Sequence, residues 1–281
     1  MIWTKTFNGR LYLSPLPADM TDALDIGAGT GAWAIEFALA HPKTNIIGTD
    51  LSPIQPEYVP VNCSWLVDDA NQPWPSDFTG KFDFIHTRSL GMGVADWGRL
   101  VEQAYKALKP GGWIELQEFC LPLGCDDGSA TGLPMEEWGF KMKSSAALIG
   151  IDVSASAKNA ERLHDAGFKH VRELKLKSPI GPWAKGAIAK EVGVMGLRDM
   201  HEILEGASTK LFAMLGMSDA EIAEFCEAAR KDAFNPKVHM YMPLLVVWGQ
   251  KPKDAKTDAK PRSAGEKQSD SNASPEKMAT T

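Results

Sequence analysis

Long apolar runs are missing from this 281-residue chain; no stretch approaches the ~20 apolar residues of a membrane span. Residues 1–10 lack the apolar core of a secretory signal, so a cytoplasmic location is expected. Cysteine is scarce. Cys63, Cys120, Cys125 and Cys226 form no C-x-x-C pair and read as reduced thiols of an intracellular protein. Basic charge is also short: 30 Lys and Arg stand against 36 Asp and Glu, a net of −6. A nucleic-acid partner wants a basic face, so that class is disfavoured and a small-molecule substrate fits better. No internal repeat is visible. Residues 251–281 contain no aromatic residue and no Ile, Leu or Val. Such a segment cannot bury enough surface to offset its ordering entropy, and a disordered tail is expected there. Its Lys251-Pro252-Lys253 run offers a nuclear address as an alternative to plain solvation.

What is present begins with Ala23-Leu24-Asp25-Ile26-Gly27-Ala28-Gly29-Thr30-Gly31. An apolar run ends in an acid, breaks into alternating glycines and leads at once into a helix-like segment from Ala32 to His41. Strand, tight glycine turn and helix open a nucleotide-binding α/β fold. Nineteen residues past Gly31, a second apolar run ends in Asp50, where a carboxylate can take both hydroxyls of a ribose. The spacing is G-x-G-x-G, whereas dinucleotide sites use G-x-G-x-x-G to seat a pyrophosphate on a helix N-terminus. Asp25, two residues ahead of the first glycine, has no use beside a phosphate but suits a cationic amino-acid end. S-adenosylmethionine (SAM) carries adenosine, a sulfonium and an α-amino group, and no phosphate.

Further segments extend the pattern. Ser64-Trp65-Leu66-Val67-Asp68-Asp69-Ala70 reads as a third strand whose end lies near the adenine, with Asp69 and Ala70 at the base. Phe82-Asp83-Phe84-Ile85-His86 reads as strand four, and the run from Gly111 to Glu118 as a turn and strand five. Apolar residues Trp97, Leu100, Val101, Ala104 and Leu108 share one helical face, stopped by Pro110-Gly111-Gly112. A helix is expected over about 157–166, strand six over 171–176 and a final strand over 241–248. Residues 184–233 read as a helical insertion before that last strand, rich in Met and Leu and able to roof the cleft. The expected organisation is one domain, residues 1–250, followed by the tail.

With these segments placed, the chain resembles a class I SAM-dependent methyltransferase, and in particular the LaeA-like group of fungal secondary metabolism. The matching residues are Leu24 to Gly31, Gly48-Thr49-Asp50-Leu51-Ser52-Pro53-Ile54-Gln55-Pro56, Val67 to Ala70, Phe82 to His86, Leu108 to Gln117 and Pro179-Ile180-Gly181-Pro182-Trp183. The resemblance implies a Rossmann-like, seven-stranded sheet and SAM as cofactor. The implied cofactor-binding residues are Asp25, Gly27, Gly29, Gly31, Asp50, Leu51, Asp69, Ala70 and His86. Members of the group carry some tens of residues ahead of the segment resembling Asn8-Gly9-Arg10-Leu11-Tyr12, often as a helical lid. Two expectations follow: a lid built from other elements, or a chain shortened relative to the group.

The chemistry implied is in-line transfer of a methyl to a nucleophile. A general base helps when the acceptor is a hydroxyl or a protonated amine. His86, with an ordinary pKa near 6.5, is the candidate base, against a cofactor-contacting or packed histidine, and Glu118 after strand five is read as orienting the acceptor, against a plain surface acid. Asp126-Asp127-Gly128 puts two acids in a turn with no further ligand beside them, so metal-independent chemistry is expected. The leading reading is a methyltransferase acting on a small-molecule acceptor. A LaeA-like regulator working through protein partners is the alternative, and a nicotinamide-dependent oxidoreductase is disfavoured by the glycine spacing.

Overall fold

The computed structural model describes residues 2–255. In chain order the elements are α1 (Ile2–Thr6), β1 (Asp22–Ile26), α2 (Ala32–Ala40), β2 (Asn45–Asp50), β3 (Cys63–Val67), β4 (Phe82–Arg88), α3 (Trp97–Ala107) and β5 (Leu108–Phe119). Then follow β6 (Gly124–Cys125), α4 (Pro134–Leu148), α5 (Asn159–Asp165), β7 (Lys169–Pro179), α6 (Ala187–Ala213), α7 (Asp219–Phe234) and β8 (Met240–Gln250). One sheet runs β3-β2-β1-β4-β5-β8, with β7 on the other edge of β8 and the two-residue β6 pairing with its start. Strands β1 to β5 are parallel, and β8 is antiparallel to both β5 and β7. This is the expected Rossmann-like sheet of seven long strands, plus β6.

Burial explains why the central strands carry so little polarity. The last four residues of β1 are all buried, as parallel strands covered on both faces require. On one face, Leu24, Phe82, Ile85 and Ile114 pack against the Trp97, Leu100, Val101 and Ala104 stripe of α3. Asp96 caps that helix by accepting from the Arg99 N–H at 3.0 Å. On the other face, Trp33, Phe37 and Phe84 pack around α2.

The helical insertion is larger than the sequence suggests. Helix α6 falls within residues 184–233 and α7 runs one residue past them, but α4, not anticipated, joins them. Met135, Trp138 and Met142 of α4 share a second core with Met200, Leu204 and Phe212 of α6 and Ile222 and Cys226 of α7. Trp138 Nε1 donates to Ser208 Oγ at 2.8 Å inside it. Of the expected Met and Leu stripe, Met200, Leu204, Leu211 and Phe212 are buried in this core, whereas Met214 is exposed. Lys251, expected as the first residue of the tail, packs on the body instead. Lys251 is buried, with Nζ donating to the Leu108 carbonyl at 2.8 Å and lying 4.9 Å from the Tyr105 ring centroid. Residues 256–281 lie outside the described residues.

Strand β5 carries three polar side chains that are wholly buried: Glu115, Gln117 and Glu118. Glu115 accepts from Leu13 N–H at 2.9 Å, Ser14 N–H at 2.7 Å and Ser14 Oγ at 2.5 Å, fastening residues 11–14 across the sheet. Gln117 Nε2 donates to Glu115 at 2.7 Å and to the Leu11 carbonyl at 3.1 Å. Glu118 accepts from Thr87 Oγ1 at 3.1 Å and Gly91 N–H at 3.0 Å. Burial outweighs these bonds and pushes its carboxyl up to about 8.

Two predictions follow from β5. Glu115→Leu strands buried donors of Leu13 and Ser14, each costing about 1–3 kcal/mol. Urea unfolding should show a loss of at least about 3 kcal/mol, and a loss under 1 kcal/mol contradicts the account. The raised Glu118 pKa means that the folded state holds a proton which the unfolded state has released. Stability therefore falls as pH rises from about 4.5 to about 8 and levels off above. Glu118→Gln removes this slope, so its melting temperature should gain on the wild type between about pH 6 and pH 9. Parallel curves contradict the assignment.

Candidate active site

The strand order reverses between β1 and β4, and the crevice beyond the carboxyl ends of such strands is where α/β sheets bind ligands. Two adjoining cavities occupy it. The smaller, of about 620 Å³, lies over the glycine loop and the start of α2, bordered by Asp25, Gly27, Gly29, Thr30, Ala32 and Trp33. The larger, of about 810 Å³, runs under the helical layer between Phe119, Leu121, Trp138, Met142, Ile180, Met200 and Met242. Gly27, Gly29, Arg88, Ser89, Phe119, Ile2, Asp199 and Glu202 border both.

The glycine loop is built for close approach. Gly29 has φ +57°, and a Cβ there would meet no protein atom within 4 Å. Its bare backbone faces the cavities, and any L side chain would be strained as well as intrusive. Asp50, at the end of β2, braces the loop: Oδ2 accepts from Gly29 N–H at 2.8 Å and Oδ1 from Ser52 N–H at 3.0 Å. Gln55 Nε2 donates to the Gly29 carbonyl at 2.6 Å from the same segment. Asp50 itself borders the larger cavity.

The residues expected from the sequence divide into two sets. Asp25, Gly27, Gly29 and Asp50 come together on the cavity walls. Gly31 does not: it is buried beneath Trp65, whose ring would lie 2.4 Å from an added Cβ. Leu51 is 66% exposed and borders neither cavity. Asp69 and Ala70 also lie off both walls. Asp69 instead accepts from Asn71 N–H at 2.9 Å and Nδ2 at 3.0 Å, which holds its carboxyl below the usual range. Asn71 Nδ2 in turn donates to the Gly93 carbonyl at 2.8 Å, tying this loop to the 91–93 turn on the cavity wall.

His86, the candidate base, and Glu118, the candidate for orienting the acceptor, do not reach the cleft. Both are fully buried and border neither cavity. The His86 ring stacks on Trp33 at 3.6 Å between centroids and meets Asp25 Oδ1 through Nδ1 at 2.8 Å. Burial holds its pKa below the ordinary value, so the neutral ring donates Nδ1–H and orients Asp25. Glu118 supports the loop after β4, where Ser89 sits in the left-handed region at φ 57°.

Several wall residues carry no strong sequence signal. Arg88 ends β4, with Nε donating to Gln117 Oε1 at 2.8 Å and Nη2 to the Leu11 carbonyl at 3.2 Å. Burial lowers its pKa to about 10, which leaves it cationic at neutral pH. Asp199 and Glu202 of α6 give the rim an acidic side, where burial and Glu202 together raise the Asp199 pKa. Ile2 and Trp3 of the short amino-terminal helix α1 form part of the wall of the smaller cavity. Their common signal is placement beside strand ends, which only the topology reveals. The two acids of the expected turn, Asp126 and Asp127, are engaged by Lys177 and Tyr241 and by His239 and Ser129 respectively. Among the described residues no group of three or more His, Cys, Asp and Glu is placed to hold a metal ion. No helix among them is long and apolar enough to cross a membrane.

Known proteins share this architecture. A solved methyltransferase from an antibiotic biosynthesis pathway of Anabaena variabilis superposes with a TM-score of 0.54 at 13% identity, covering 88% of this chain and 96% of its own. By sequence, the methyltransferase pytC of Aspergillus terreus is 34% identical over 257 residues, 89% of this chain and 78% of pytC. The protein-methionine methyltransferase laeA of Emericella nidulans is 30% identical over 233 residues, 82% of this chain and 62% of laeA. Residues 5–173 match the family described as a methyltransferase domain, more than half of the chain. With its glycine loop, strand order and roofed cleft, the chain belongs to the methyltransferase-domain family.

Proposed function

We propose that this protein transfers a methyl group from SAM to a small, largely apolar acceptor held beneath α4 and α6, with a place in fungal secondary metabolism. The observation that carries the reading is the pair of adjoining cavities with a shared wall. One lies over the glycine loop beside Asp25, and the other, which Asp50 borders, is walled by Trp, Phe, Met, Leu and Ile. A volume of about 810 Å³ suits a drug-sized ligand.

The residues present fit the cofactor. The open space above Gly29 admits an adenosyl group against bare backbone. Asp50 spends one lone pair of each oxygen on the loop and keeps the others for ribose hydroxyls. Asp25 borders the adjoining smaller cavity and offers it a carboxylate for a cationic amino group. SAM brings a sulfonium that already makes its methyl carbon electrophilic. The chain's own work is alignment and exclusion of water, and alignment alone supplies about 7–11 kcal/mol of a barrier. Ser89 and Phe119, on the wall common to both cavities, mark where donor and acceptor meet. Met142, Met200 and Met242 give the acceptor side adaptable apolar walls.

Asp50→Ala should weaken SAM binding at least about tenfold in calorimetry while leaving the fold intact, since a bond to a charged group contributes about 1.5–3 kcal/mol. Gly29→Val should do comparable harm by filling the loop's open face. An unchanged dissociation constant for either variant removes that residue from the site. The functional assay incubates the protein with methyl-labelled SAM and a small-molecule extract or the proteins of its source, with and without EDTA. Label is expected in a small molecule and insensitive to EDTA. Label confined to protein would overturn the reading in favour of the regulatory one, for which the similarity to laeA speaks.

A further inference from the structure

Asp25 and Arg88 occupy the carboxyl ends of the adjacent parallel strands β1 and β4, and both border the smaller cavity. They carry opposite charge, yet no hydrogen bond or ion pair among the described residues joins them. Each is held by other groups. Asp25 Oδ1 meets His86 Nδ1, while Oδ2 has no hydrogen-bond partner among the described residues. Arg88 is fixed through Nε on Gln117 and Nη2 on Leu11, with the Trp3 ring 5.8 Å from its guanidinium carbon. Its Nη1 bonds to nothing among the described residues. The Leu11 carbonyl also accepts from Trp33 Nε1 at 2.9 Å and Gln117 Nε2 at 3.1 Å, so the Nη2 bond shares an already occupied oxygen.

A guanidinium in this position is expensive without an anion. Of the carboxylates near it, Asp25 and Glu36 make no ion pair with it among the described residues, and Glu115 is spent on Leu13, Ser14 and Gln117. What remains on the wall is one carboxylate oxygen and one edge of a guanidinium fork, side by side and unspent. That is the complement of an α-amino acid zwitterion: the ammonium on Asp25, the carboxylate on the planar fork that arginine presents.

We infer that Arg88 is the carboxylate anchor for the amino-acid end of the cofactor, and that with Asp25 it forms a zwitterion clamp at the rim of the glycine loop. This rests on the reading that the cleft binds SAM. The clamp fixes the end of the cofactor opposite to the ribose and so sets where the methyl group points along the wall shared by the two cavities. Arg88 is a positioning residue here, and Gln117 and His86 orient the two members of the clamp.

The test measures equilibrium binding of three ligands: SAM, decarboxylated SAM, which keeps the amine, and 5′-methylthioadenosine, which has neither group. The wild type should bind SAM at least tenfold more tightly than the decarboxylated ligand. Arg88→Gln should abolish that preference while binding decarboxylated SAM and methylthioadenosine within about threefold of wild type. Arg88→Lys, which keeps the charge and loses the fork, should retain only part of the preference and covers the case in which the Gln variant does not fold. Asp25→Asn should weaken SAM and decarboxylated SAM together and spare methylthioadenosine. Equal weakening of all three ligands by both Arg88 variants would overturn the clamp, as would no change in any. Binding of none of the three by the wild type would overturn the SAM reading and the clamp with it, whereas binding without discrimination overturns the clamp alone.

Discussion

The cleft depends on one buried carboxylate. Glu115 lies in the middle of β5 with no exposed surface and gathers the backbone of Leu13 and Ser14, the Ser14 hydroxyl and the Gln117 amide. An acid buried so deeply would be ruinous without those donors, and with them it becomes a fixed point. A chain of hydrogen bonds beside the glycine-loop cavity leads back to it. Gln117 is held by Glu115 and holds Arg88, and the Leu11 carbonyl, two residues from Leu13, receives Trp33, Gln117 and Arg88. Trp33 in turn stacks on His86, which orients Asp25. The amino-terminal segment, β1, β4, β5 and the first turn of α2 are thereby locked at the crevice. From this frame Asp25 and Arg88 bring charge to the cavity wall, beside Trp33 and Phe119.

Rigidity on the sheet side contrasts with the cap. Helices α4, α6 and α7 share a core of their own, largely Met, Leu, Phe and Ala, and meet the cleft through Trp138 and Met142 of α4 and the face of α6 that carries Met195, Asp199, Glu202 and Ile203. A frame set by hydrogen bonds fits the demands of a constant cofactor, for which geometry must be held closely. An apolar, Met-containing wall fits an irregular hydrophobic acceptor, for which shape matters more than direction. The division of labour follows from the chemistry of the two walls.

Much of this was legible in the sequence. The strand–glycine–helix unit, Asp50 at the end of the next strand and the helical insertion are local patterns, and local patterns survive folding. What escaped was decided by packing. Arg88 sits two residues after His86 on the same strand, yet one meets the cavity and the other lies under Trp33. No periodicity reports which helix covers which strand end. Glu118 reads as a candidate acid because its burial by the loop after β4 depends on long-range register. Helix α4 was hidden because Phe140 and Leu148 are exposed beside its buried Met135, Trp138 and Met142, which blurs the amphipathic stripe. Lys251 looked like the start of a solvated tail. Its ammonium is buried on a carbonyl and beside a tyrosine ring, an arrangement open to a long amphipathic side chain and invisible in composition.

The most direct test of this account is a crystal structure with S-adenosylhomocysteine bound. The account predicts the ribose hydroxyls on Asp50, the adenosyl group against the open face of Gly29, and the thioether sulfur beside Ser89 on the wall between the two cavities. A ligand seated elsewhere, or one whose ribose stands clear of Asp50, would contradict it.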